Sequence, residues 1–393
     1  MKILHLTTHQ AGGAGIACLR LHEALREAKV ESKVLSIFGE ENKERNVFSL
    51  EADPGKFNFK SICRKEKWKR YFQSWKVRFR GKPKELFSFP DALWQIENHP
   101  LVKEADVIHL HWVARMIDVE RFFAKVNKPV VWTLHDAWPF TGGFHYESYF
   151  DVNPFVPISK PLLEMKRKAY HLKNITIVAP SRYMANLCRA SEVFLTQNHL
   201  DIPNSVPSSI YYLRNNRDEL RKRLGIKENE RALFFASDEL DYFRKGADIL
   251  LAAFSAYKNE NIKLFIAGKG RPKSPMDSRI HFTGHIADEN QFAEILNACD
   301  ALVHTSREDN FPNVILESLF CGTPVLSIDK GGVSEMINSV NGILTNEKNL
   351  EEGFDLILDK HFDRTKIAAE VKNIFSSNVQ AARFIQLYNQ LKS

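Results

Sequence analysis

Apolar and polar positions along this chain follow two periods in turn. Short apolar runs bounded by polar turns recur at Lys2 to Leu6, Lys33 to Ile37, Val107 to Trp112, Pro129 to Leu134 and Ile175 to Ala179. They recur again at Ala232 to Ala236, Leu264 to Gly270, Ala301 to His304 and Val325 to Ile328. Runs this short and this uniformly apolar suit strands buried on both faces of a parallel sheet. Between them apolar residues fall at helical spacing, as in Ile16, Leu19, Leu21 and Leu25 or Val314, Ile315, Leu319 and Phe320. Strands and helices in alternation predict an α/β protein with parallel sheets. The stretch Ile202 to Pro207 holds two prolines and no helical period, which marks a link between domains. At 393 residues the chain is long enough for two cores. The expected division is a first domain over 1–203, a second over 208–376, and a last helix over 377–393.

Ligands of such folds collect where the strands end at their carboxyl side, so the residues just after each run are the candidates. The first strand is followed by Ala11-Gly12-Gly13-Ala14-Gly15, glycines that let the backbone approach a ligand closely. It is not a G-x-G-x-x-G dinucleotide fingerprint, and a tight turn is the plainer alternative. His135 and Asp136 stand at the tip of the fourth run, Pro129 to Leu134, beside a glycine-bearing loop. Arg244 and Lys245 precede the helix through Leu250, where two cations can clamp a diphosphate. After Ala301 to His304 come Glu308 and Asp309, then Asn310-Phe311-Pro312-Asn313, with Pro312 suited to a first helical turn. Amides around Asn313 and Val314 would point at whatever lies above the strand end. Glu317 follows on that helix, with seven residues between it and Asp309, and Cys321-Gly322-Thr323-Pro324 closes it.

The run NFPNVILES…CGTPV, with its two spaced acids, resembles the donor-site signature of group 1, or GT4, retaining glycosyltransferases. The runs GGAGIA, HLHW and THDAWPFTGG resemble one branch of that family, the bacterial exopolysaccharide enzymes. The resemblance implies a GT-B fold, two Rossmann-like domains facing a cleft, the first holding the acceptor and the second a nucleotide-sugar donor. It implies that Glu317 holds the ribose, that Asp309 faces the transferred sugar, and that His135 contacts that sugar. Asp309 stands where the family has Glu, and Glu308 precedes it, so both carboxylates are candidates. Gly13 and Gly15 would face the diphosphate or acceptor, and Arg244 and Lys245 the leaving diphosphate. The base would be seated by backbone near Ile286, within HFTGHI. Asn310, Phe311, Asn313 and Val314 complete the donor-binding set. The activity implied is transfer of a sugar to a growing, lipid-linked bacterial glycan, with retention at the anomeric carbon. Members of that branch often carry a cysteine cluster after this loop. FHYESYFDVNPFVPIS has no cysteine, so no metal is expected. A sugar-phosphate synthase on the same fold, or a non-catalytic scaffold that binds nucleotide-sugar or membrane, are the alternatives.

Charge adds one feature. The chain carries +7 overall, yet residues 56 to 84 hold twelve Lys or Arg and the single acid Glu66, a local +11 that leaves the remainder mildly acidic. Trp68, Phe72, Trp75 and Phe79 share one helical face there. Such a helix suits an anionic membrane surface, with residues 60 to 82 as its core, or docks its aromatics on the first domain. Interleaved bases and aromatics also suit single-stranded nucleic acid, but no nucleic-acid-binding fold accompanies them, and none is expected as a partner. Five cysteines, odd in number and without metal-site spacing, read as reduced core residues. The polar start MKILHLTTHQ and the lack of a long apolar run predict a cytoplasmic protein, peripheral at most on the inner membrane face.

Overall fold

The computed structural model describes residues 1–51, 86–147, 155–270 and 277–392. The basic segment at 56–84 lies outside them. The chain forms two compact units, Met1–Pro203 with Gln380–Ser393, and Asn204–Val379.

The first unit contains β1 (Lys2–His9), β2 (Glu31–Phe38), β3 (Val47–Ser49), β4 (Val107–Leu110), β5 (Val130–Thr133), β6 (Ile175–Ala179) and β7 (Asn198–Asp201). They pair in parallel in the order β3-β2-β1-β4-β5-β6-β7. The second contains β8 (Arg231–Glu239), β9 (Ile262–Lys269), β10 (Ile280–Gly284), β11 (Ala301–His304), β12 (Val325–Ile328) and β13 (Gly342–Thr345), also parallel, in the order β10-β9-β8-β11-β12-β13. Counted within each unit, both begin 3-2-1-4-5-6, the doubly wound Rossmann order. Strands β4, β5, β6, β11 and β12 are buried along their whole length, as their apolar runs predict. The third run is shorter than its pattern suggests, since β4 stops at Leu110 and leaves His111 and Trp112 beyond the strand.

Each sheet is covered on both faces. In the first unit Trp132, Trp138, Phe122 and Tyr170 fill one side, and Ile3, Leu21, Leu25, Val107 and Val131 fill the other with Phe384, Leu387 and Tyr388. Those last three belong to the final helix, Ser377–Lys392, which therefore contributes to the first unit's core. Burying each such side chain is worth about 1.5–3 kcal/mol. Gln380 fixes that helix by donating to the Pro203 carbonyl at 2.7 Å. In the second unit one face packs Leu316, Leu319, Phe320 and Ile367, and the other Leu250, Phe254, Leu264 and Phe354.

Two start positions depart from expectation. The first helix begins at Gly12 (Gly12–Glu27), so Gly13 and Gly15 lie in its opening turns and not in a loop. A Cβ on Gly15 would sit 2.5 Å from the backbone of His9 and Gln10, so glycine here allows the helix to press onto the end of β1. Pro312 occupies the N-cap position of the helix Asn313–Phe320, with extended backbone (ψ 120°), one residue before the helical turn predicted for it.

Candidate active site

The crevice rule places a ligand where strand order reverses, which in the second unit is between β8 and β11. Beyond β8 the chain makes a short turn, Phe243–Lys245, and enters the helix Ala247–Ala256 through Gly246. Gly246 has φ +69°, and a Cβ on it would lie 2.0 Å from the Thr305 carbonyl. Only glycine lets this turn lie against the end of β11. The contact is closed by hydrogen bonds from Thr305 Oγ1 to the Gly246 carbonyl at 2.8 Å and from the Arg307 amide to the Arg244 carbonyl at 2.7 Å.

That seam brings Lys245, Arg244 and Asp309 together. Lys245 Nζ is 2.6 Å from Asp309 Oδ2, Arg244 is 3.7 Å from the same oxygen, and His304 Nε2 is also at 3.7 Å. Asp309 is buried, and burial alone would raise its carboxyl. Lys245, the His304 ring and Arg244 outweigh that and hold it well below the usual carboxylate range. Arg244 donates to the Glu308 carbonyl at 2.8 Å, so Glu308 meets the cation through backbone and Asp309 through its carboxylate. Gly331, with φ +69°, packs where a Cβ would meet the Asp309 carbonyl at 2.0 Å, and the Gly332 amide donates to that carbonyl at 3.0 Å. His304 is fixed from its other side by Ser327 Oγ at 3.0 Å, and burial keeps it neutral despite Asp309.

The remaining residues of the second unit fall around this cluster. The Asn310 amide donates to Asp309 Oδ1 at 3.1 Å. Asn313 opens the helix Asn313–Phe320, and Asn204 donates to its Oδ1 at 3.1 Å. Phe311 is buried and packs against Phe375. Val314 sits half-buried in the first turn, and Glu317 is buried one turn further along. Ile286 follows the edge strand β10, half-buried, at the same carboxyl end of the sheet.

In the first unit His135 lies two residues past β5, and its Nε2 is 3.0 Å from His111 Nδ1. Burial lowers its pKa to about 4, with Asp136 opposing, so the ring is neutral at pH 7. His111 Nε2 is 3.0 Å from His5 Nδ1, while His109 bonds Thr133 Oγ1 and Tyr388 OH, each at 2.7 Å. Among the described residues, nitrogens of His5, His109 and His111 lie within 4.8 Å of one another, an arrangement that fits a metal ion as well as the hydrogen bonds just given. Asp136 serves the loop. It accepts from Trp112 Nε1 at 2.6 Å and the Trp138 amide at 3.0 Å and pairs with His145 at 2.6 Å. Buried Lys166 donates to the Trp138 carbonyl from beneath. Gly13 is exposed and Gly15 buried at the start of the first helix.

Sequence reasoning missed His304 and His111. His304 closes an apolar run and His111 stands just past one, and those positions are the signal that could have found them.

Comparison with known proteins follows this division. Residues 230–359 match the model described as "Glycosyl transferases group 1", and residues 11–193 match the model of "Glycosyltransferase Family 4". A glycosyl transferase named for colanic acid biosynthesis in Escherichia coli K12 is 24% identical over 64% of this chain and 65% of its own length. The lipopolysaccharide glucosyltransferase WaaG of the same organism is 28% identical over 37% of this chain and 41% of its own. The chain thus spans under two thirds of either relative. Among solved structures, sucrose-phosphate synthase from Thermosynechococcus elongatus superposes with TM-score 0.71 at 18% identity, over 100% of this chain and 99% of that one. The Anabaena protein HepE in complex with UDP gives 0.68 at 17%, over 99% and 100%.

Proposed function

Because this chain belongs to the group 1, GT4 family of glycosyltransferases, with Rossmann-like domains of the GT-B kind, we propose that it moves a sugar from a nucleotide-sugar donor to a growing, lipid-linked surface glycan with retention. The observation that carries this reading is the cluster of Lys245 and Arg244 on Asp309 at the switch point of the second sheet. In it, Lys245 and Arg244 neutralise the diphosphate as the glycosidic bond to the donor breaks, and amides at the start of the helix Asn313–Phe320 add their dipoles. Asp309 faces the sugar and Glu317 takes the ribose hydroxyls. Ile286 and its turn seat the base through backbone, with Asn310, Phe311, Asn313 and Val314 shaping the donor pocket.

From the first unit, neutral His135 offers a hydrogen bond to the sugar and the amides near Gly13 and Gly15 approach the diphosphate or acceptor. With no carboxylate set as a nucleophile among the described residues, the reading takes retention along a same-face path in which the leaving phosphate takes the acceptor hydroxyl's proton. Cations and amides supply the charge neutralisation, so the reading assigns no metal to the reaction. The +11 segment at 56–84 would hold the enzyme at an anionic inner membrane face, near a lipid-linked acceptor. In the described residues no helix is long and apolar enough to cross a membrane.

The test is a thermal-shift screen of the purified chain against UDP, GDP, ADP, CMP and their sugars, repeated on Lys245→Ala. Stabilisation by one diphosphate family that disappears in the variant is expected and names the base. No stabilisation by any at millimolar concentration would remove the donor-site reading. Loss of liposome co-sedimentation on deleting residues 60–82 tests the membrane arm, and unchanged sedimentation would end it.

A further inference from the structure

At the opposite end of the second sheet, where β8, β11 and β12 begin, a cavity of about 280 Å³ opens between Arg217, Arg231, Asp300, Lys360, Phe362 and Arg364. Four of these six are cations. Asp300 is already shared by Arg217 at 2.8 Å, Arg221 at 3.1 Å and Arg231 at 3.5 Å. Arg364 has no carboxylate partner among the described residues. It donates instead to the carbonyls of Asn297 at 3.1 Å and Cys299 at 3.0 Å and to Thr323. The Nε groups of both Arg217 and Arg364 are buried and without a hydrogen-bond partner in the described structure. Burial and the neighbouring Arg217 push the Arg364 guanidinium down to about 10, with Asp300 opposing but not outweighing them. Asp359 is the other carboxylate on the wall, so the lining keeps an excess of positive charge.

Guanidinium and ammonium groups converging on a partly apolar cavity suit a phosphoryl group. The volume lies just below the usual range of small-molecule sites and is too small for a large ligand. We propose that this cavity is a second anion site of the chain, which takes a phosphoryl group, free or carried on a small metabolite, at the end of the sheet remote from Lys245 and Asp309. The phosphoryl oxygens would meet Arg217, Arg231 and Lys360, and Phe362 with Pro324 would floor any organic part. The claim stands independently of the donor reading, because it uses none of its residues.

The experiment is a thermal-shift and calorimetric titration of the full chain with inorganic phosphate and with a hexose monophosphate, at ionic strength matched by sodium chloride. It is run on the wild type, on Lys245→Ala, and on the Arg231→Gln, Lys360→Gln double variant, whose replaced side chains are exposed. Expected is a rise in Tm of a few degrees with phosphate, kept in Lys245→Ala and lost in the double variant. A larger rise with the hexose phosphate identifies the metabolite as the occupant, and equal rises identify the phosphoryl group alone. A rise that survives in the double variant, vanishes in Lys245→Ala or is matched by chloride would overturn the proposal, as would no rise at all. If the double variant melts early without ligand, Arg217→Gln replaces it, read by calorimetry against the same two phosphates.

Discussion

The first unit carries on β1 and β4 and just past β4 and β5 imidazoles that burial keeps neutral, His5, His109, His111 and His135, whereas the second gathers past β8 and β11 a lysine, an arginine and a carboxylate, Asp309, that these cations hold well below its usual range. Parallel pairing and the order of the first six strands are the same in both. One backbone plan therefore supports two chemistries, set by which residues stand on its strands and just past them. Neutral rings can exchange hydrogen bonds with hydroxyls at small desolvation cost. Fixed ions can stabilise charge that develops during a reaction. A sugar and a diphosphate call for those two surfaces respectively.

The largest break in that comparison comes from the charged side. Lys245→Ala should lower kcat/KM for transfer about 100-fold or more, the scale for removing one preorganised donor to developing negative charge. Steady-state rates at fixed acceptor check it. A drop of less than about threefold would mean that the cluster at β8 and β11 is structural.

Beside the neutral rings Asp136 is a buried carboxylate, and it is a lock. Asp136→Asn keeps the shape but weakens bonds with His145, Trp112 and the Trp138 amide at a buried position. Removing one partner of such a buried network costs about 3–5 kcal/mol, and the asparagine recovers part of it. We expect a loss of about 2–3 kcal/mol in urea unfolding. A loss under about 0.5 kcal/mol would show that the loop carrying His135 is held by packing alone.

Much of this was legible in the chain. Strand positions were, because a strand buried on both faces leaves an uninterrupted apolar run, as in Ile175–Ala179, which matches its pattern residue for residue. Arg244, Lys245 and Asp309 were legible one by one, each in the segment that follows such a run. Their union was not, since 64 residues separate Lys245 from Asp309 and only the adjacency of β8 and β11 brings them together. The start of the first helix was misread for a related reason. Glycines signal a loop in sequence, but Gly15 is required by how closely the helix approaches β1, and a one-dimensional pattern does not contain that distance. The cationic cavity was invisible altogether, its walls drawn from positions 217, 231, 300 and 360–364.

Acid sharpens the comparison next. His135 and His99 have pKa values lowered by burial to about 4 from an ordinary 6.5. Their unfolded forms take up protons first, so their contribution to stability is complete above about pH 6.5 and is lost as pH falls toward 4. A single group shifted this far is worth about 3 kcal/mol across that window. Asp309, lowered in its folded form, holds its own contribution until pH falls through the carboxylate range. Urea midpoints from pH 7.5 to 4 should therefore fall first for the histidine-rich unit. A flat profile down to pH 4.5 would mean that the rings are charged and compensated in the folded chain.

The smallest effect separates packing from signalling in the neutral wall. Tyr388 OH meets His109 Nδ1 at 2.7 Å, and its ring stacks on Phe384 in the same core. Tyr388→Phe keeps the ring and removes the hydroxyl, leaving one buried imidazole nitrogen without its partner, a cost of about 1–2 kcal/mol in unfolding. His109 sits on β4 directly before Leu110 and His111, and His111 holds His135. If the wall only fills space, the variant loses that stability while KM for the donor stays unchanged. If the hydrogen bonds set the orientation of His135, KM rises with the loss of stability, and Tyr388→Gln, which restores a polar partner but not the ring's packing, recovers KM more than it recovers the urea midpoint. The neutral histidines would then be as much a part of donor recognition as the ions of the second unit.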